Sequence, residues 1–145
     1  MPAKPADTPA LDLVRKQAEI RRELQSIHLG NKPETKSLPK EISAIIEFIH
    51  THLFDSSLNV NAVKQSCRIR NNNVSTRFRL SMGIGIREYI EVLRLEAASR
   101  LILCCDFELY LIGMAVGYEH QETFCRAYHR HFGKPPSSCK VLPPR

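Results

Sequence analysis

The stretch Leu109–Phe132, LYLIGMAVGYEHQETFCRAYHRHF, constrains the fold more than any other part of the chain. Leu109, Ile112 and Val116 recur at helical spacing with small Gly113 and Ala115 between them, as a helix crossed closely by another requires. Gly117 stands where a helix must end in a left-handed turn. Beyond it, Phe124, Tyr128 and Phe132 repeat every four residues as a core-facing stripe, which turns Gln121, Glu122, Arg126 and Arg130 outward. Two helices joined by a tight turn, the second presenting Gln and Arg, match the helix-turn-helix pattern that sets a recognition helix in a DNA major groove.

The 145 residues are enough for one domain with a true core. Twenty-one Lys and Arg against fifteen Asp and Glu give a formal charge of +6, which favours an anionic partner. There is no apolar run of spanning length, and the start, MPAKPADTPA, lacks the apolar core of a signal peptide, so a cytoplasmic, nucleoid-associated location is expected. The five cysteines are odd in number and fall in or near expected helices, unlike a secreted disulfide framework.

Ahead of the domain, Thr8-Pro9 and Gly30 bound a helix from about Pro9 to Leu29. Its apolar positions Leu13, Ile20, Leu24 and Ile27 fit a heptad register interrupted by Gln17. A solvated or loosely docked arm is favoured over a dimerising coiled coil, and the segment 1–38 is read as a partner-binding or dimerising arm. The compact domain is expected to run from Pro39 to Arg145. Ile42, Ile45, Ile46, Ile49 and Leu53 then form the apolar face of an amphipathic helix over Pro39–Leu53. Asn59 can cap a short helix from Val60 to about Cys67, and a further helix is expected from about Asn71 to Ser81, stopped near Gly83.

These two helices repeat the layout of Leu109–Phe132. Val63, Ile69, Val74 and Phe78 align with Ile112, Tyr118, Thr123 and roughly Ala127, giving helix-turn-helix units at about 59–81 and 108–132. The first unit exposes Asn71, Asn72, Ser75, Thr76 and Arg79. Between them Ile86–Leu103 is apolar on more than one side and is expected as a sandwiched linker helix. Its eighteen residues span roughly 27 Å, against roughly 34 Å between successive major-groove faces. The expected class is all-α.

The block AVGYEHQETFCRAYHRHFGKPPSSCK, with Gly117, Tyr118, Phe124, Arg126, Tyr128, Phe132, Gly133 and Pro136, resembles the signature of the AraC/XylS family of bacterial transcription regulators. The likeness runs from about Pro39 to Lys140. It implies a seven-helix domain of two helix-turn-helix subdomains, of the kind found in stand-alone members. Carried onto this chain, the base-reading positions are Asn72, Ser75 and Thr76 in the first unit and Gln121, Glu122 and Arg126 in the second. Two departures fall in the first unit. Lys64 stands where a small Ala is usual and must snorkel or push the helices apart, and Arg68 stands where Gly is usual and meets a positive-φ cost.

Asn and Gln can read adenine, Arg guanine and Glu cytosine. Arg70, Arg77, Arg79, Arg130 and Lys134 are candidates for phosphate contacts, while Glu122 can equally serve the positive end of its helix. The expected partners are double-stranded DNA and RNA polymerase, with a homodimer or regulatory protein reached through the N-terminal helix. An alternative reading is an interaction co-regulator whose first unit no longer reads bases. A third is metal sensing through Cys125 and His129, but two ligands on one helix face do not complete a tetrahedral site. No catalytic constellation and no cofactor motif stand out.

Overall fold

Ile42, Ile45, Ile46 and Ile49 are each 1% exposed or less, and the helix that carries them founds the first of two apolar cores. The structure, a computed structural model, describes residues 9–29, 34–69, 73–104 and 107–139. Among them lie eight helices and no strand: α1 (Pro9–Leu29), α2 (Lys40–His52), α3 (Val60–Ser66), α4 (Val74–Met82), α5 (Ile86–Cys104), α6 (Leu109–Ala115), α7 (Gln121–Phe132) and α8 (Pro136–Cys139). The cap residue Thr8, the stop Gly30 and the candidate contacts Arg70 and Asn72 lie outside the described residues, as do Asn71 and Cys105.

The first core joins the isoleucine face of α2 to Val63 of α3, Val74 and Phe78 of α4, and Ile86, Tyr89 and Ile90 of α5. Inside it, Tyr89 Oη and His50 Nε2 lie 2.8 Å apart in a hydrogen bond that ties α5 to α2. Burial pushes the Tyr89 phenol up to about 12. The second core gathers Leu95, Ala98 and Leu101 from the later half of α5 with Ile112 of α6, the α6 cap Val116, and Phe124 and Tyr128 of α7. The linker helix thus changes core along its length, which explains why its apolar residues occupy more than one face.

Leu95, fully buried, and Arg94, 8% exposed, are core positions of α5 that the apolar pattern alone did not select. Arg94 sits at the seam between the cores, where its Nε donates to the Leu53 carbonyl at 2.8 Å.

The first helix departs from the expected loose arm. Ile20 is fully buried and Leu24 is 2% exposed, and both belong to the second core. Lys16 Nζ meets Glu108 Oε1 at 3.2 Å, so α1 is also fastened to the start of α6. Leu13 and Val14 remain exposed. Burying an Ile or Leu contributes about 1.5–3 kcal/mol, and Ile27 packs partly buried beside these two.

Helix α4 begins at Val74, three residues later than expected. The Asn73 carbonyl accepts the first intrahelical bond, from Arg77 N at 2.9 Å, which makes Asn73 the N-cap.

Candidate nucleic-acid interface

The two helix-turn-helix units close their first helices in the same way. In the first, Arg68 N donates to Gln65 O and Ile69 N to Lys64 O; in the second, Gly117 N donates to Met114 O and Tyr118 N to Gly113 O. Each pair is a Schellman closure, and the residue between must take a positive φ. Gly117 does so at 111°. Arg68 does so at 55°, the one non-glycine residue with positive φ among those described. The departure at Arg68 therefore leaves the turn intact and loads it with strain.

The turns match at an offset of 49 residues, but the helices that follow match at 50. Val74 and Phe78 are fully buried, and their counterparts are Phe124 and Tyr128 at 0% and 1%. The alignment of Val74 with Thr123 and of Phe78 with Ala127 is thereby corrected, since Thr123 is exposed. The second unit holds one extra residue between its turn and the helix that follows. At the corrected offset Thr76 pairs with Arg126 and Asn72 with Glu122. Arg130 pairs with Leu80, which is 80% exposed.

The other departure, Lys64, is half-buried. A Cβ at its counterpart Gly113 would lie 2.9 Å from Phe124 Cδ2. At the corresponding places the first unit carries Lys64 and Val74, and a half-buried lysine can lay its stem along apolar surface with its ammonium in water.

Helix α7 turns Phe124, Ala127 and Tyr128 inward. It leaves Gln121, Glu122, Thr123, Arg126, His129 and Arg130 exposed. Glu122 lies in its first turn, where the helix dipole also favours a carboxylate. On α4, Thr76 and Arg79 are exposed and Ser75 is half-buried. These two faces border one open surface. Ser75, Thr76 and Arg79 share a groove with Arg87, Glu91 and Arg130. Arg87, Glu91 and Arg130 also line the adjoining hollow, together with Asn61, Thr123 and Arg126.

Arg130 Nη2 meets Glu91 Oε1 at 2.6 Å, with the arginine side chain 69% exposed. Arg77 is placed differently: its Nη2 lies 2.8 Å from Glu41 Oε2 of α2, and it lines neither hollow. Lys134 is exposed just past the left-handed Gly133 that ends α7. Arg87, Glu91 and Asn61 were not singled out from sequence. The signal available for the first two was their i, i+4 spacing, an oppositely charged pair on one face of α5.

Cys125 is partly buried, which raises its thiol above the usual value. It borders a shallow hollow with His120, Gln121 and Glu122. Among the described residues no group of three or more His, Cys, Asp or Glu gathers closely enough to hold a metal ion. No helix among them is long and apolar enough to cross a membrane.

A family model described as a helix-turn-helix domain matches residues 67–140. Regulatory protein SoxS of Salmonella typhimurium is 30% identical over 96 residues, covering 66% of this chain and 89% of that protein. The Msm operon regulatory protein of Streptococcus mutans is 26% identical over 115 residues, covering 79% of this chain and 41% of that protein. The chain thus spans less than half the length of several curated relatives it matches. Among solved structures, the C-terminal domain of AraT, a response regulator from Geobacillus stearothermophilus, aligns with a TM-score of 0.69 at 21% identity, over 74% of this chain and 92% of that one. The DNA-binding domain of AdpA in complex with a target DNA aligns with a TM-score of 0.63 at 16% identity, over 69% of this chain and 89% of that one. The fold and the relatives are those of DNA-binding transcription regulators, not of enzymes. With the matched helix-turn-helix segment, the two repeated units and these relatives together, the chain belongs to the AraC/XylS family of transcription regulators.

Proposed function

We propose that this regulator reads promoter DNA in a sequence-specific way by setting α4 and α7 into consecutive major grooves of one duplex. The observation that carries this reading is the shared surface: the exposed faces of α4 and α7 meet across Arg87, Glu91 and Arg130. The nineteen residues of α5 span roughly 28 Å at about 1.5 Å each, in keeping with a groove repeat of roughly 34 Å.

Gln121, Glu122 and Arg126 are the proposed base readers of the second unit, with Asn72, Ser75 and Thr76 in the first. Arg70, Arg79, Arg130 and Lys134 are the proposed phosphate contacts. Arg77 is better assigned to fixing α4 on α2, because Glu41 already holds its guanidinium. The second unit dominates reading: Arg126 and Arg130 stand where the first unit has Thr76 and Leu80, and guanidinium groups supply both bidentate base contacts and phosphate neutralisation. RNA polymerase is the proposed protein partner, and the still-exposed Leu13 and Val14 of α1 are the proposed contact with a regulatory protein or second copy.

The interaction-only reading rests on a first unit impaired by Lys64 and Arg68. The intact hydrogen bonds of that turn weigh against it. Mobility-shift titration against promoter fragments and random duplex tests the proposal. Preference for particular fragments is expected, and equal affinity for all of them would sink it.

A further inference from the structure

Arg94 bridges the end of α2, which leads into the first helix-turn-helix unit, and the turn of the second. From the middle of α5 its Nε donates to the Leu53 carbonyl at 2.8 Å and its Nη2 to the Asp55 carbonyl at 2.7 Å. Both acceptors lie where α2 runs out towards α3, at the negative end of the α2 dipole. The same guanidinium covers the second unit's turn. A Cβ at Gly117 would lie 2.7 Å from Nε and 2.8 Å from Cζ, and Cζ stands 5.9 Å from the centre of the Tyr118 ring.

We propose that Arg94 is a positioning residue that sets the angle between the two units, and with it the spacing between the two DNA half-sites that the protein accepts. Apolar contacts between helices hold over a range of small slides, whereas a planar fork bonded to two carbonyls fixes direction as well as distance. The space that Gly117 leaves without a side chain is filled by the guanidinium, which carries that direction across to α6 and α7. Leu53 is part of the first core, and the Gly117-Tyr118 turn packs on the second. Arg94 is therefore the polar joint between two apolar bodies that share a helix. The spacing half of this inference rests on the DNA-reading mode proposed above; the orientation half does not.

The experiment takes the full chain as wild type, Arg94→Lys and Gly117→Ala. Lysine keeps the charge but can satisfy the two carbonyls only as a point charge, and alanine attacks the contact from the other side. Residual dipolar couplings are measured for amides of residues 40–92 and 107–139. One alignment tensor is expected to fit both segments in the wild type, and two distinct tensors are expected in each variant, with each unit's internal couplings preserved. A single shared tensor in both variants overturns the orientation half.

For the spacing half, the probe is a duplex selected by the wild type from a random library, with or without one base pair inserted between its halves. Wild type is expected to lose about tenfold in affinity on insertion, the size of an unfavourable base position, and the variants to lose much less. An unchanged insertion penalty overturns that half. Failure of the wild type to select any duplex overturns the spacing half along with the sequence-specific reading, while the couplings still decide the orientation half.

Discussion

Gly113 and Phe124 cross so closely that no methyl fits between them: a Cβ on Gly113 would meet Cδ2 at 2.9 Å and Cγ at 3.0 Å. Phe124 is fully buried and rings with Tyr118 and Tyr128, so it has nowhere to retreat. Gly113→Ala is expected to destabilise the chain by about 1–3 kcal/mol, the usual cost of overpacking a filled core. Lys64→Ala, at the matching position of the first unit, is expected to stay within about 0.5 kcal/mol of the wild type. Urea unfolding of the two variants measures the contrast. Equal losses would mean that the Lys64 position is packed as tightly as the Gly113–Phe124 crossing.

Arg68 holds the φ of 55° that glycine supplies in the second turn. A non-glycine residue in this region costs roughly 1–2 kcal/mol, and glycine gives part of that back through its freer unfolded chain. Arg68→Gly is therefore expected to stabilise by about 0.5–1 kcal/mol, raising the melting temperature by about 2–4 °C per kcal/mol. Thermal unfolding followed by circular dichroism checks it. A lower melting temperature would mean that the Arg68 side chain contributes more than its backbone costs.

The Gly117 turn was legible in the sequence because turn chemistry is local and glycine advertises a positive φ, whereas the positive φ at Arg68 was expected only from the family resemblance. The amphipathic faces of α2 and α7 were legible for the same reason, since one period and one core decide them. Three features were not. The extra residue between Tyr118 and Phe124 is invisible to a repeat matched at constant offset, and only burial of Val74 against Phe124 exposes it. The docking of α1 through Ile20 and Leu24 depends on a surface built by α5 and α6, which no pattern within α1 specifies. Arg94 lies four residues from Ile90 and three from Ala97, on the apolar side of α5. A charge there announces either an error in the register or a buried partner, and the partners are carbonyls, which every residue carries.

Arg126 and Arg130 sit one turn apart on α7, but only Arg130 is held by a carboxylate, Glu91 at 2.6 Å. Arg126→Ala is expected to cost about 1–3 kcal/mol of discrimination between a selected site and random duplex. Arg130→Ala is expected to weaken both alike and to lower the salt slope of binding by about 0.9. Glu91→Gln removes the competitor for Arg130 and a negative charge from the groove, so affinity for any duplex should rise. Titrations at several salt concentrations separate these effects. Matching losses of discrimination in both arginine variants would reverse the assignment of base and phosphate roles.

The last prediction concerns alkaline pH. Burial pushes the phenols of both Tyr89 and Tyr118 up to about 12, from an ordinary value near 10. At Tyr118 the Glu91 carboxylate adds to the rise, and Arg94 and Arg130 oppose it. Because the folded value exceeds the unfolded one, the stability these groups contribute is fully present below pH 10 and is lost as pH climbs from 10 towards 12. Unfolding the chain in this window lets both phenols ionise in water, so the denaturation midpoint should fall steadily across it. Tyr118→Phe removes one ionisable group and should flatten that fall, even if its midpoint at neutral pH is lower. In the native protein, near-ultraviolet absorbance compared between wild type and the Tyr89→Phe and Tyr118→Phe variants should show that both of these phenols ionise only at the upper end of the window. Ionisation of both at ordinary pH, without unfolding, would mean that water reaches the His50–Tyr89 pair and the Tyr118 turn, and that neither core closes around them as described.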